Sequence, residues 1–227
     1  MEPSIIMAEL RAQSFQHGPL YIERFNIMSE LRKLGLKNGD ILYRASDARG
    51  PFNLPFSRLV ARVTKSKYSH AALAIVENGE YSVLEINDRG TLKYRMIDWI
   101  DTCYNTNFAI YRLRDINLEQ ETKLKEQIDL ILEEDPDYDF TFNDPNKFYC
   151  TESVVEVYRR ALGIEIDEGH YIYDVTPFWV FCILYLGSTL FKNTGASLPF
   201  DQKMHFVGNS SKGMMASEYT EMIFEII

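Results

Sequence analysis

The chain carries three cysteines, Cys103, Cys150 and Cys182, and four histidines, His17, His70, His170 and His205. A thiolate is a strong nucleophile, and a neighbouring imidazole is the base that generates it. Cys150 stands where a loop becomes a helix, in Phe148-Tyr-Cys-Thr-Glu-Ser-Val-Val-Glu-Val-Tyr158. The open amides and dipole of a helix N-terminus favour an anion, which lowers a thiol's pKa and raises its reactivity. The same position also suits a buried structural thiol, because free cysteine packs as a small hydrophobe. Cys103 has no comparable setting, and Cys182 lies inside an apolar run and reads as core. His70 opens an apolar strand after Tyr68-Ser69. A ring held there is a place for a general base, and a core histidine bonded to backbone is the competing reading. His17 and His205 lie in polar or terminal stretches and read as solvated, and His170 follows Glu168-Gly169 in a loop.

These side chains depend on the elements that carry them. Residues 4–34 read as helical, with Phe25, Ile27, Met28, Leu31 and Leu34 near helical spacing and Gly35 as the stop. Asn38-Gly39-Asp40 is a turn into a strand at Ile41, Leu42 and Tyr43, and residues 56–64 suit a short helix. Tyr68–Val76 is a strongly apolar strand, Asn78-Gly79 a hairpin turn, and Tyr81–Ile86 the return strand. Asp88-Arg89-Gly90 is a further turn and Phe108–Leu113 a further strand, so the pattern predicts an antiparallel meander. Asn117–Leu132 reads as a charged helix with Leu118, Leu124, Ile128 and Ile131 in its buried stripe. Asp135-Pro136-Asp137 ends it, and Gly163 ends the helix that begins near Cys150. Thr176-Pro177 suits the start of a last apolar helix. The ending Met222–Ile227 carries no readable role.

A cysteine–histidine pair needs a third group to orient the ring. Glu85 lies amid apolar neighbours on the strand returning from His70, where its carboxylate can reach the far ring nitrogen. It also fits the outward face of an edge strand. Alternation does not decide between these, since Val83 and Glu85 share one face and Leu84 and Ile86 the other.

Composition narrows the function class. With 227 residues, 46% of them hydrophobic, the chain can bury a sizeable core, and one domain with terminal decorations is the simplest organisation. A net charge of −9 with scattered Lys and Arg argues against a nucleic-acid partner. Three widely spaced cysteines form neither a disulfide framework nor a zinc ribbon. The first residues lack a signal peptide's charged head and apolar stretch, so a full-length chain is expected in the cytoplasm and a trimmed one in the envelope or outside. The apolar run at 178–190 is short for a membrane span and can instead touch a membrane surface or form a core helix.

The order Gly39-Asp40-Ile41, Ser69-His70-Ala71, Val83-Leu84-Glu85, Tyr138-Asp139-Phe140 and Tyr149-Cys150-Thr151-Glu152 resembles the YiiX-like permuted papain-fold amidases, circularly permuted relatives of NlpC-type peptidases. In this family histidine precedes cysteine along the chain, as here. The resemblance covers residues 34–175, leaving helical N-terminal and C-terminal extensions of a single 1–227 domain. It implies an α+β fold, with an antiparallel sheet or barrel packed against helices. It places the nucleophile on Cys150, the base on His70 and the orienting acid on Glu85, with Tyr138 in the pocket wall beneath the cysteine helix. Thr151 stands where the family often has Ser, and either residue keeps a hydroxyl in the first helical turn.

The implied chemistry is amide hydrolysis through an acyl-thioester, with backbone amides at the helix start holding the oxyanion and Tyr43 as a further donor or simply a strand aromatic. No metal or organic cofactor is called for. The expected substrates are a small peptide, a cell-wall fragment or an N-acyl amine. Two alternatives accompany this reading. One is acyltransferase or phospholipase chemistry of the lecithin–retinol acyltransferase type on a lipid-like substrate. The other is a binding module without catalysis.

Overall fold

A computed structural model describes residues 19–46, 56–103, 107–138, 147–175 and 202–226. The chain divides into two compact units, residues 1–36 and 37–227. In the first, helix α1 (Pro19–Leu34) ends at Gly35, whose φ of +66° lets its N–H bond to Leu31 O at 3.1 Å. The expected helical stretch before residue 19 lies outside the described residues.

The second unit is built on one sheet of six strands among the described residues. They are β1 (Ile41–Arg44), β2 (His70–Glu77), β3 (Glu80–Asn87), β4 (Gly90–Arg95), β5 (Phe108–Leu113) and β6 (Thr220–Ile226), in the order β4-β3-β2-β1-β5-β6. Every pairing is antiparallel. The sheet is open, with β4 and β6 at its edges, so it is a sheet and not a barrel. The expected meander holds for β1, β2 and β3 and continues into β4, a strand the sequence pattern does not predict. β5 departs from it, crossing to pair with the other side of β1 and setting Ile110 opposite Leu42.

Local chemistry explains the turns. Asn78 and Gly79 both take positive φ, +51° and +79°, the geometry a two-residue hairpin needs, and Glu77 pairs with Glu80 across them. Strand β4 was hidden from sequence reading because Thr91-Leu92-Lys93-Tyr94 mixes polar and apolar residues on a half-exposed edge. Helix α3 (Met96–Ile100) follows it directly and buries Trp99 completely.

Helices α2 (Phe56–Val63), α4 (Leu118–Glu134), α5 (Cys150–Leu162) and the short α6 (Ile172–Val175) complete the described helical part. One face of the sheet, with Ile41, Tyr43, Ala71, Leu73, Leu84 and Ala109, shares a core cluster with Leu124, Ile128 and Ile131 of α4 and Val154, Val157 and Tyr158 of α5. A fully buried side chain such as Leu124 contributes roughly 2 kcal/mol. Leu118 does not join this stripe. It is 78% exposed, because it is the first residue of a helix whose start is fixed by a capping box between Asn117 and Gln120.

The turn before β1 ties the elements together. Asp40 accepts the Lys37 N–H at 2.9 Å and pairs in bidentate fashion with Arg112 of β5, at 2.8 and 2.6 Å. The Asn38 side chain accepts the Val76 N–H of β2 at 2.7 Å, and the Tyr158 hydroxyl of α5 donates to Gly39 O at 2.8 Å. Gly39 has φ +84°, and a Cβ there would lie 2.7 Å from Leu124 Cδ1, so only glycine fits between the turn and α4. The Gly-Asp-Ile motif is thus a structural knot. At the far end, the tail that had no readable role forms β6, pairing with β5 along Phe108–Leu113 with an irregularity between Ile110 and Tyr111.

Candidate active site

Strand β2 begins with His70, directly opposite Arg44, the last residue of β1. The register that pairs Leu73 with Leu84 carries Glu85 close to the start of β2 and, by alternation, to the same face as His70. Glu85 is therefore not on an exposed edge face: its side chain is 2% exposed. Its carboxylate meets four nitrogens. Arg44 Nη2 and Asn87 Nδ2 donate to Oε1 at 2.9 and 2.7 Å, and Trp99 Nε1 donates to Oε2 at 2.7 Å. His70 Nε2 stands 3.3 Å from Oε1, a contact held by charge, since the nitrogen is not aligned for a hydrogen bond. Arg44 also donates from Nη1 to Thr102 O at 2.8 Å and lies 5.9 Å over the Trp99 ring.

This surrounding sets the charges. Burial alone would raise the Glu85 carboxyl, but His70, Arg44 and the Asn87 bond outweigh it and hold the group well below the usual carboxylate range. Burial alone would likewise lower His70. The negative charges of Glu85 and Cys150 prevail over burial and over the opposing Arg44 cation, and the ring's pKa rises to about 9.

Cys150 is the first residue of α5, after Tyr149, which has extended backbone angles and makes no side-chain capping bond. The first intrahelical bond runs from Ser153 N to Tyr149 O at 3.0 Å, so the amide at Cys150 lies ahead of the helical ladder. Cys150 as a residue is partly exposed, and its sulfur lies close enough to the His70 ring and the Ala71 N–H to interact with both. Since Nε2 faces Glu85, Nδ1 is the nitrogen left for sulfur. Burial would raise the thiol's pKa, but the His70 imidazolium and the Ala71 amide overcome it and lower the value. The arrangement favours a thiolate–imidazolium pair backed by a buried carboxylate.

The other expected positions fare differently. Tyr43 occupies the opposite face from Arg44, has no exposed surface, and packs edge-on to Tyr111 with ring centroids 5.1 Å apart. Its hydroxyl is enclosed in the core and has no hydrogen-bond partner among the described residues. The Thr151 hydroxyl donates to His205 O at 2.7 Å, which turns it from the thiol to the C-terminal segment. Tyr138 forms an isolated bridge with Phe148, two residues before Cys150, and packs against the core. It braces the approach to the helix. Asp139, Phe140, Cys182, the loop after residue 46 and the apolar run 178–190 lie outside the described residues. Cys103 is buried against Trp99 O, and burial pushes its thiol up to about 12.

His205 is only partly exposed, and its ring faces the buried Asp167 carboxylate at 3.0 Å. Sequence reasoning also missed Arg44, Asn87 and Trp99. Arg44 ends an apolar run and looks like a strand terminus, and Trp99 follows a strand that was not anticipated. One signal was available, because a buried carboxylate at position 85 requires donors.

Residues 35–177, more than half of the chain, match the family described as permuted papain-like amidase enzymes, YaeF/YiiX, C92 family. The chain is 27% identical over 134 residues to the uncharacterized protein YiiX of Escherichia coli strain K12, an alignment covering 58% of this chain and 62% of that protein. It also superposes on a crystal structure of metalloprotein YiiX from Escherichia coli O157:H7, with a TM-score of 0.66 and 21% identity, over 84% of this chain and 97% of the other. That likeness gives a permuted papain-like fold to the open sheet and its helices. The family carries the activity class, a papain-like cysteine amidase or peptidase, and this chain belongs to the permuted papain-like amidases of the YaeF/YiiX, C92 family.

Proposed function

We propose that Cys150 is the nucleophile, His70 its base and Glu85 the anion that orients and charges the ring, and that the three hydrolyse an amide bond in a small peptide, a cell-wall fragment or an N-acyl amine. The observation that carries this reading is the meeting of three groups: the Cys150 thiol at a helix start, the His70 ring beside it, and the 2% exposed Glu85 carboxylate 3.3 Å behind the ring. The thiolate attacks the carbonyl carbon, and the oxyanion lies against the backbone amides at the start of α5. The C–N bond breaks as the His70 imidazolium gives its proton to the leaving amine. Water then attacks the thioester while the ring takes its proton, the C–S bond breaks, and acid and thiolate are released.

The related crystal structure is described as that of a metalloprotein. Among the described residues of this chain, no group of three or more His, Cys, Asp or Glu side chains is arranged to hold a metal ion. Asp167, His170 and His205 do cluster, but the two carboxylate oxygens each face a ring nitrogen. With both carboxylate oxygens turned to ring nitrogens, these three residues do not fit a bound metal.

The test is turnover of a panel of peptide and N-acyl amine substrates by the wild type, Cys150→Ala and Cys150→Ser. Loss of all turnover in both variants, with an acyl adduct on Cys150 trapped by mass spectrometry in the wild type, is the expected result. Undiminished turnover by Cys150→Ala would refute the assignment.

A further inference from the structure

The start of α5 has no side-chain cap of its own, yet the two residues that flank Cys150 are bonded to a single residue of the C-terminal segment. Thr151 Oγ1 donates to His205 O at 2.7 Å, and the His205 N–H donates to the Tyr149 hydroxyl at 2.6 Å. Both flanking side chains are buried, Thr151 at 3% and Tyr149 at 3% exposure. His205 is itself fixed. Its Nδ1 lies 3.0 Å from Asp167 Oδ2, and the other carboxylate oxygen of Asp167 lies 3.3 Å from His170 Nε2. The Asp167 side chain is 2% exposed.

The main chain on either side of His205 is anchored elsewhere. Met204 exchanges two hydrogen bonds with His170, at 2.8 and 2.9 Å, and Phe206 O accepts the Met214 N–H at 2.9 Å. In an extended segment, alternate residues direct their N–H and C=O groups to opposite sides. Residues 204 and 206 therefore hold the strap to its own surroundings, while residue 205 turns its amide and carbonyl to the Cys150 turn. Residues 204–214 also lie beyond the segment that matches the amidase family.

We propose that Asp167 and His205 are positioning residues for Cys150: the buried carboxylate fixes the His205 ring, and the His205 main chain grips the residues before and after the nucleophile. The proposal rests on the reading of Cys150 as nucleophile. It gives the C-terminal segment a part in the chemistry without contact with substrate. A thiolate–imidazolium pair is sensitive to displacement of either partner, because both charge and hydrogen bonding fall off steeply with distance.

The experiment measures iodoacetamide alkylation of Cys150 in the full chain, followed at the Cys150 peptide by mass spectrometry over a range of pH. The variants are Thr151→Val, Thr151→Ser and Asp167→Asn. Thr151→Val removes the donor to His205 O, and alkylation at neutral pH should slow about tenfold, the size of one lost buried hydrogen bond. Its half-rate pH should move upward. Thr151→Ser keeps the hydroxyl and should restore the rate to within about twofold of wild type. Asp167→Asn should slow alkylation in the same direction as Thr151→Val. The two Thr151 variants decide whether the His205 main chain grips the Cys150 turn, and folded Asp167→Asn reacting as wild type would overturn the part given to Asp167.

Wild-type rates and half-rate pH in Thr151→Val would overturn the proposal, as would Thr151→Ser reacting as slowly as Thr151→Val. A wild-type Cys150 that reacts no faster than free cysteine at neutral pH is a separate result. It removes the nucleophile reading, and the positioning role goes with it.

Discussion

Replacing Glu85 with Gln should close the pH window in which the enzyme works. From an ordinary value of 6.5, the His70 pKa rises to about 9 against the pull of burial, and Glu85 heads the contributions that raise it. That rise corresponds to about 3 kcal/mol in favour of the protonated ring. The active form exists between deprotonation of Cys150, below its ordinary 9.0, and deprotonation of His70, near 9. In Glu85→Gln, burial and the Arg44 cation lower the ring's pKa and only the Cys150 thiolate is left to raise it, so the alkaline limb of kcat/KM should move down from near 9. Glu85 also pushes the thiol up slightly, but the imidazolium it sustains lowers the thiol by more, so the acid limb should rise. With the two limbs converging, kcat/KM at neutral pH should drop at least about tenfold.

The same substitution strands Arg44, whose side chain is 9% exposed, and costs about 3–5 kcal/mol of stability. The double variant Arg44→Met/Glu85→Gln removes that stranded cation. Its alkaline limb should move in the same direction while part of the stability returns. The assay is the pH profile of kcat/KM on an amide substrate identified from the panel, paired with the alkylation profile of Cys150 and a melting curve. An alkaline limb that remains near 9 in folded Glu85→Gln would show that the carboxylate does not hold the ring's charge, and the reasoning would fail.

Further outcomes follow from other contacts. Trp99→Phe deletes the 2.7 Å donor to Glu85 Oε2 while keeping most of the ring; stability should fall by about 1–3 kcal/mol and Cys150 alkylation should slow severalfold, both readable on one preparation. Gly39→Ala sets a Cβ 2.7 Å from Leu124 at φ +84°, and denaturant unfolding should reveal a loss of about 2 kcal/mol or more; an unchanged midpoint contradicts the packing argument. Asp40→Asn breaks the bidentate pair with Arg112 and should cost about 3 kcal/mol, yet leave the alkylation profile of the folded protein in place, because Asp40 touches none of Cys150, His70 and Glu85.

What the sequence made legible depended on how local each signal was. Asn78-Gly79 announces its hairpin because two adjacent residues must take positive φ, and few residue pairs accept that. Cys150 and His70 stood out because each sits at the boundary of an apolar element. Glu85 could be found but not placed. The sheet is covered on both faces there, by the helical core on one side and Trp99 on the other, so alternation has no wet face to contrast with a dry one. Arg44 and Trp99 stayed hidden because their shared partner lies on another strand, 41 residues from Arg44 and 14 from Trp99. β6 pairs with a strand more than a hundred residues earlier, and no window along the chain contains both. His205 looked solvated for a similar reason: the carboxylate it meets is 38 residues away.

The order of these residues along the chain matters less than which ends of the elements meet. His70 sits at the beginning of β2, and Cys150 at the beginning of α5, which shares the core cluster with the opposite sheet face. The thiol therefore reaches the ring around the end of the strand, and the Ala71 amide, one residue into β2, meets the same sulfur. That meeting requires α5 to hold its angle across the sheet, and the Tyr158–Gly39 bond and the buried face of Val154 and Val157 supply the constraint from the core side. The residues on either side of Cys150 are held from the opposite direction by the main chain of His205, in a segment that lies beyond the residues matching the family, so the position of the thiol is set by elements from both sides of its helix turn.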